Sequence, residues 1–179
     1  MLEALITSKT RVKLLTKFFL NGNFTAHLRG LETEFGESSN AIRIELNRFE
    51  DAGLLHSNTE GNKKLFKANK KHPLYKEIHN ILLKHFGFDQ IIENIIQKIG
   101  TLHKVFISGD FAKGKDSDII DLIIVGDNIE KAYLLDLVDK AEQYIKRKIR
   151  YILFTLKEFK AYLKKNHNDN MLILWEESK

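Results

Sequence analysis

One segment, residues 105–126, limits the possible folds of this chain most sharply. It reads VFISGDFAKGKDSDIIDLIIVG, in which an apolar run ends at Gly109 and a polar loop containing Gly114 follows. A second apolar run then begins behind the carboxylates Asp118 and Asp121. A strand, a loop with glycines and a strand led by carboxylates often form a site for a phosphate and a metal ion. The segment therefore predicts a small domain with strands, built around such a loop.

The composition excludes several classes of protein and of site. At 179 residues with 43% apolar residues, the chain suffices for one large or two small domains. The absence of cysteine excludes a disulfide framework, a thiol nucleophile and a cysteine-ligated zinc site. The seven histidines include no His-x3-His pair, so a histidine metal site is not indicated. No segment approaches the roughly 18 apolar residues that span a bilayer, so we expect a cytoplasmic protein without a membrane partner.

The surplus positive charge lies in the N-terminal half. Residues 1–87 contain 14 Lys and Arg against 9 Asp and Glu, whereas residues 88–179 contain 15 of each kind. This asymmetry favours a half that binds nucleic acid, joined to a half of balanced charge. Small domains often carry a few surplus lysines, so the charge alone leaves both interpretations open.

The N-terminal 72 residues predict three helices followed by a β-hairpin. Residues 8–20 show helical spacing of apolar side chains behind a Ser or Thr cap, and Thr25 is expected to cap a second helix that ends at Gly36. A third helix is expected from Ser38 or Ser39 to residues 51–52, with a core-facing stripe of Ile42, Leu46 and Phe49. Two short runs then flank a Glu-Gly-Asn turn at residues 60–62, which is typical of a hairpin.

The third helix and the strand after it carry a recognisable pattern, ESSNAIRIELNRFEDAGLL at residues 37–55. This pattern resembles the recognition helix and following strand of small winged-helix bacterial repressors of the ArsR-like kind, and the resemblance covers about residues 8–72. It implies a winged helix-turn-helix and a transcriptional regulator whose partner is double-stranded DNA.

The candidate DNA-binding residues lie on this helix and on the hairpin. Amide and guanidinium groups can pair with base edges in the major groove, and a helix N-terminus suits a phosphate oxygen. Lysines on or after the hairpin can follow the DNA backbone. The same residues would also fit a solvated helix face and a charged strand edge. The base-reading candidates are Asn40, Arg43 and Asn47, the phosphate candidates Ser38 and Ser39, and the backbone candidates Lys63, Lys64, Lys67, Lys70 and Lys71.

Residues 73–100 predict a helical connector of two amphipathic helices, one opened by Pro73 and one over residues 88–99. Their apolar residues exceed what a small winged helix needs. They fit either the seam of a homodimer, which would match two-fold DNA, or a bridge between two domains.

The C-terminal residues 101–179 predict an α/β arrangement. Strands are expected at residues 103–108, 119–125, 150–155 and 171–175, with a long helix over 129–147 and another capped by Thr155. The predicted fold class is therefore a two-domain α+β or α/β protein. It would contain a winged helix at 1–72, a connector at 73–100 and a small mixed sheet with helices at 101–179.

The motif of this C-terminal domain resembles the minimal nucleotidyltransferases of the polymerase-β-like superfamily. The matching residues are Gly109, Ala112, Gly114 and the run Ser117-Asp118-Ile119-Ile120-Asp121-Leu122. If the domain is active, the resemblance implies Mg²⁺ and a nucleoside triphosphate as cofactors. Asp118 and Asp121 would then be the catalytic and metal-binding residues. A glycine loop with lysines can also hold a nucleotide or phosphate, which makes Gly109, Lys113, Gly114 and Lys115 the candidates for that role.

Three departures indicate that the catalytic motif is degenerate. Asp118 and Asp121 are three residues apart, so a regular strand would direct them to opposite faces unless a bulge intervened. Asp110 stands where the motif has serine, and residues 150–154 offer no third carboxylate. We therefore expect an inactive domain used for dimerisation or ligand sensing, for which the sequence establishes no cofactor. The alternatives are a Mg²⁺-dependent enzyme that moves a nucleoside monophosphate to a protein, RNA or small molecule, and a protein-interaction module.

Overall fold

The computed structural model describes residues 2–99, 101–166 and 170–177. The chain forms two compact units, one of Met1–His85 with Gly114–Asp116 and one of Phe86–Lys113 with Ser117–Lys179. The predicted two-domain α+β class is confirmed. The stretch predicted as a connector, residues 73–100, is divided between the two units.

The first unit contains the helices and the hairpin expected from the sequence. Ser8 caps the second helix, because its hydroxyl oxygen accepts a hydrogen bond from the Arg11 amide at 3.2 Å. That helix continues as a π-helical turn over Thr16–Leu20. The elements are α1 (Leu2–Leu5), α2 (Lys9–Leu15), β1 (Thr25–His27), α3 (Leu28–Phe35), α4 (Ser39–Asp51), β2 (Leu55–Glu60), β3 (Lys63–Ala68) and α5 (Tyr75–Phe86), whose last residue already belongs to the second unit.

The start of α3 differs from the prediction. Thr25 does not cap this helix, because residues 25–27 form β1 and pair antiparallel with Leu65–Lys67 of β3. His27 is the cap instead, and its Nδ1 atom accepts the Gly30 amide at 2.9 Å. The pairing gives a three-stranded sheet in the order β1-β3-β2.

The predicted core stripe of α4 is confirmed. Ile42, Leu46 and Phe49 are all buried, and so are Leu14 and Leu15 of α2, Phe18, Phe19 and Leu20 of the π-helical turn, and Leu31 of α3. Since one face of an amphipathic helix faces the core, the other must face solvent. Accordingly, Arg43 and Asn47 are exposed.

Glu45 is the unexpected member of α4, because its charged side chain is only 8% exposed. Arg11 of α2 donates to both carboxylate oxygens, from Nε to Oε2 at 2.8 Å and from Nη2 to Oε1 at 3.0 Å. Arg48 donates to Oε1 at 3.0 Å. The hydrogen bond from Arg11 lowers the pKa of the Glu45 carboxyl below its usual range. This bidentate ion pair between Arg11 and Glu45 fixes α4 to α2.

The second unit is a mixed four-stranded sheet with helices. The strand order is β6-β5-β4-β7, with β5 and β6 parallel and the other pairs antiparallel. The elements are α6 (Phe88–Asn94), β4 (Leu102–Ser108), α7 (Gly109–Ala112), β5 (Ile119–Gly126), α8 (Lys131–Ile145), β6 (Lys148–Phe154), α9 (Leu156–Lys165) and β7 (Leu172–Glu176). Two details differ from the prediction, since α6 is shorter than residues 88–99 and the glycine loop begins with the short helix α7.

Local signals account for the ends of several of these elements. Thr155 and Glu158 form a reciprocal capping box at the start of α9, as expected for a threonine followed three residues later by glutamate.

One core cluster of the second unit consists of Phe106, Ile123, Val125 and Phe159. In the described segments of the chain, no helix has both the length and the apolar character that a bilayer crossing requires.

We predict that Glu45→Gln lowers the free energy of unfolding at pH 7 by about 1–2 kcal/mol, because it weakens charge-assisted hydrogen bonds to partly exposed arginines. Glu77→Gln, at an exposed position of α5, is the control and should change it by less than about 0.5 kcal/mol. Urea unfolding measures both values.

The loss of stability caused by Glu45→Gln should become smaller as the pH falls. Because the folded-state pKa of Glu45 is lowered, its stabilisation is fully present above the unfolded-state pKa of about 4.3. It is lost as the pH falls through the lower folded-state value. A difference from the unsubstituted chain that stayed constant from pH 7 to pH 3 would contradict the assignment.

Candidate functional site

A groove of about 610 Å³ lies in the first unit between α4 and the hairpin of β2 and β3, which we call the wing. Its lining within the described chain includes four Lys or Arg residues and no Asp or Glu. The other six lining residues are three apolar side chains, two asparagines and one histidine, so the groove is a concave surface of positive charge. The lining residues are His27, Leu28, Arg29, Arg43, Leu46, Asn47, Asn62, Lys63, Lys64 and Phe66.

The groove brings together four of the ten candidate DNA-binding residues, Arg43, Asn47, Lys63 and Lys64. Arg43 and Asn47 are four residues apart on α4 and therefore share one helix face. Lys63 and Lys64 reach the groove from the start of β3. Helix and wing thus contribute to a single surface. Asn40 is exposed at the first turn of α4 but is not among the lining residues.

The two serines at the start of α4 have structural partners. The Ser38 oxygen accepts the Ala41 amide at 3.3 Å, which makes Ser38 the N-cap. Ser39 donates its hydroxyl hydrogen to Glu32 of α3. These contacts fix the beginning of α4, and neither serine lines the groove.

Lys64 also holds the wing against α4. Its Nζ atom donates to Glu50 Oε2 at 2.6 Å and lies 5.1 Å from the centre of the Phe66 ring. Ser57 of β2 donates to the other Glu50 oxygen. The hydrogen bond from Lys64 lowers the pKa of the Glu50 carboxyl. Lys64 is therefore both a groove residue and a link between the wing and the end of α4.

The remaining predicted lysines lie outside the groove lining. Lys67 is exposed on β3, where it is opposite Thr25 and His56 in the sheet. Lys70 donates to Asn23 Oδ1 at 2.6 Å, and Lys71 is exposed.

Three polar groove residues are not among the candidates predicted from the sequence, namely His27, Arg29 and Asn62. The sequence indicates only a turn at Asn62, although a hairpin tip is a usual place for a binding residue. The pattern predicts a helix that begins at Thr25 and includes His27 and Arg29, and such a helix would not place them beside the wing. The pairing of β1 with β3 brings them there, and no local signal near Thr25 reveals it.

In the second unit, the loop glycine and the predicted catalytic carboxylate form a compact cluster. Asp121 of β5 is opposite Ser108 on β4 and Arg150 on β6. Arg150 Nε donates to Asp121 Oδ1 at 2.7 Å. Gly109 has φ +65°, and a Cβ atom added to it would overlap Asp121 Oδ2. Glycine is therefore required here by the backbone conformation and by the approach of Asp121.

Asp118 precedes β5 and has an exposed side chain. Its backbone oxygen accepts the Lys148 amide at 2.9 Å, and the pairing of β5 with β6 continues from there without a register shift. The bulge that would bring Asp118 and Asp121 to one face is thus not present in this pairing. Among the described residues, no group of three or more His, Asp or Glu side chains could hold a metal ion.

The predicted phosphate loop is divided between the two units, with Gly109 and Lys113 in the second unit and Gly114 and Lys115 in the first. Both lysines are exposed. Gly114 has φ +69°, and a Cβ atom there would lie 2.6 Å from the backbone oxygen of Lys17. The left-handed backbone conformation and the close approach of Lys17 therefore both favour glycine at this position.

Comparison with known proteins gives weak structural similarity only. Neither a protein-family model nor a curated protein sequence matches the chain. A toxin–antitoxin crystallised with AMP-PNP is 15% identical over 51% of this chain and 74% of its own, with a TM-score of 0.40. A candidate nucleotidyltransferase from Sulfolobus solfataricus is 22% identical over 62% of this chain and 94% of its own, at 0.36. The archaeal chromatin protein TrmBL2 is 12% identical over 80% and 64%, at 0.25. These similarities assign neither a family nor a function to the chain.

We predict that Gly109→Ala destabilises the protein by more than the roughly 1–2 kcal/mol expected for alanine in a left-handed conformation alone. Gly36→Ala is the control, since Gly36 has φ +63° and no atom within 4 Å of an added Cβ. Chemical unfolding measures the stability lost through Gly109→Ala, both in the unsubstituted chain and in a chain that carries Asp121→Ala. The difference between the two losses is the part caused by the overlap with the Asp121 side chain. An equal cost in both backgrounds would show that Asp121 does not require this glycine.

Proposed function

We propose that this protein is a DNA-binding transcriptional regulator and that its first unit binds double-stranded DNA through α4 and the wing. The observation that carries the proposal is the groove between these elements, whose lining combines Arg29, Arg43, Lys63 and Lys64 with the amide of Asn47. DNA presents phosphates at regular spacing and base edges within reach of a helix, and this surface offers groups suited to both.

The roles of the residues follow from their chemistry. An α-helix fits the major groove, where guanidinium and amide groups can each make two hydrogen bonds to guanine and adenine respectively. Arg43 and Asn47 would provide these groups. Lys63 near the tip of the wing, and Arg29 at the start of α3, would contact phosphate oxygens and so fix the register on the duplex.

The contacts around α4 support this use of the helix, because they reduce the ordering that binding would otherwise require. Glu45 joins α4 to α2 from the buried side, and the pair of Glu50 and Lys64 joins its end to the wing. The groups that would face DNA are thus carried by elements whose relative positions are already fixed within the first unit.

The role of the second unit is part of the same proposal. We assign it to dimerisation or to sensing a ligand such as a nucleotide, with a homodimer matching two-fold DNA. The alternative is Mg²⁺-dependent transfer of a nucleoside monophosphate, which would use Asp118 and Asp121. The ion pair of Asp121 with Arg150 favours the non-catalytic role.

The DNA-binding proposal predicts that Arg43→Ala weakens binding to a preferred duplex by about 1–3 kcal/mol while changing binding to a scrambled duplex much less. The preferred duplex is selected by the protein from a random library, and fluorescence anisotropy measures both affinities. Lys63→Ala should weaken binding to the preferred and to the scrambled duplex equally, because a phosphate contact does not depend on sequence. It should also reduce the slope of log affinity against log salt concentration by about 1.

Lys160→Ala is the control for loss of a positive charge, because Lys160 is exposed on α9 in the second unit. It should leave both affinities and the salt slope unchanged. Selection that yields no preferred duplex, together with unchanged affinity in Arg43→Ala, would refute the proposal.

A further inference from the structure

Arg150 occupies the position on β6 that is directly opposite Asp121 on β5. The two strands are parallel and pair in continuous register from Ile119 with Lys148 to Val125 with Phe154. Side chains of residues directly opposite each other on neighbouring strands lie on the same face of a sheet. A residue at position 150 therefore determines which charge stands beside the Asp121 carboxylate.

Both oxygens of Asp121 already have close neighbours. Oδ1 accepts a hydrogen bond from Arg150 Nε at 2.7 Å, and Oδ2 lies over Gly109, where an added Cβ atom would overlap it. The Asp121 side chain is 24% exposed and that of Arg150 is 66% exposed, so the pair lies at the surface with the carboxylate as its inner member. The hydrogen bond to Asp121, together with the charge of that carboxylate, raises the pKa of the Arg150 guanidinium.

These residues do not fit the pair of magnesium ions that the nucleotidyltransferase resemblance implies. Such a site needs carboxylates that converge from one face of the sheet. Here Asp118 lies before the first paired residue of β5, and position 150 supplies a cation instead of a third carboxylate. A guanidinium already neutralises the one carboxylate that remains in the strand.

We infer that Arg150 is an internal counter-ion that takes the place of a divalent cation beside Asp121 and excludes one from it. The second unit is then a domain that is independent of metal at this position, and Arg150 is the residue responsible. The inference concerns the second unit alone and does not rest on DNA binding by the first.

Titration with Mn²⁺, followed by electron paramagnetic resonance of the free ion, tests the inference on the full chain. The unsubstituted protein and Asp121→Asn should show the same weak, nonspecific binding. Arg150→Asp places two carboxylates opposite each other on β5 and β6, and it should bind one Mn²⁺ at least tenfold more tightly. Adding Asp121→Asn to Arg150→Asp should remove that gain.

Arg150→Lys is the matched control, because it keeps a positive charge beside Asp121 and should show no gain. Circular dichroism of each variant checks folding, and Arg150→Gln, which removes the charge without adding an acid, gives a second folded reference. One Mn²⁺ bound by the unsubstituted protein and lost in Asp121→Asn would overturn the inference. Folded Arg150→Asp without a gain would overturn it as well, since Arg150 would then not be what excludes the cation.

Discussion

The outward face of α4 depends on the buried carboxylate of Glu45. A buried charge without a partner is costly, so this glutamate requires the guanidinium of Arg11, and the pair in turn fixes the rotation of α4 against α2. With Glu45 and the apolar stripe held inside, the geometry of a helix directs Arg43 and Asn47 to the solvent. The buried Glu45 thus orients Arg43 and Asn47, the residues proposed to contact DNA, without contacting DNA itself.

The two units show how similar chemical groups acquire different roles from their neighbours. In the first unit, basic side chains line a groove to which none of the described Asp or Glu residues contributes, and Glu50 is the ion-pair partner of Lys64 outside that lining. In the second unit, the basic side chain of Arg150 forms an ion pair with Asp121, the carboxylate that the motif predicts to be catalytic. The motif of residues 105–126 therefore identifies a strand, loop and strand correctly, and the carboxylate of its second strand is paired with an arginine on another strand.

Local signals explain which features were predictable from the sequence. Ser38, the apolar spacing along α4 and the glycine that follows it define that helix, and the Gly-Asn turn defines the wing. The features that were not predictable depend on partners distant in sequence. The β1 strand requires β3, Glu45 requires Arg11, and Asp121 requires Arg150, 29 residues away. In each case tertiary pairing decides the outcome, and propensity near the residue does not reveal it.

If α4 and the wing form one DNA-binding surface in the first unit, DNA should change the surroundings of these two elements most. Backbone amide NMR of the labelled protein, titrated with its selected duplex, reports such changes residue by residue. We predict that the largest changes fall at residues 27–29, 38–47 and 61–66, while the amides of β4 to β7 change little. Changes concentrated in the second unit, or no saturable change on addition of DNA, would contradict the account.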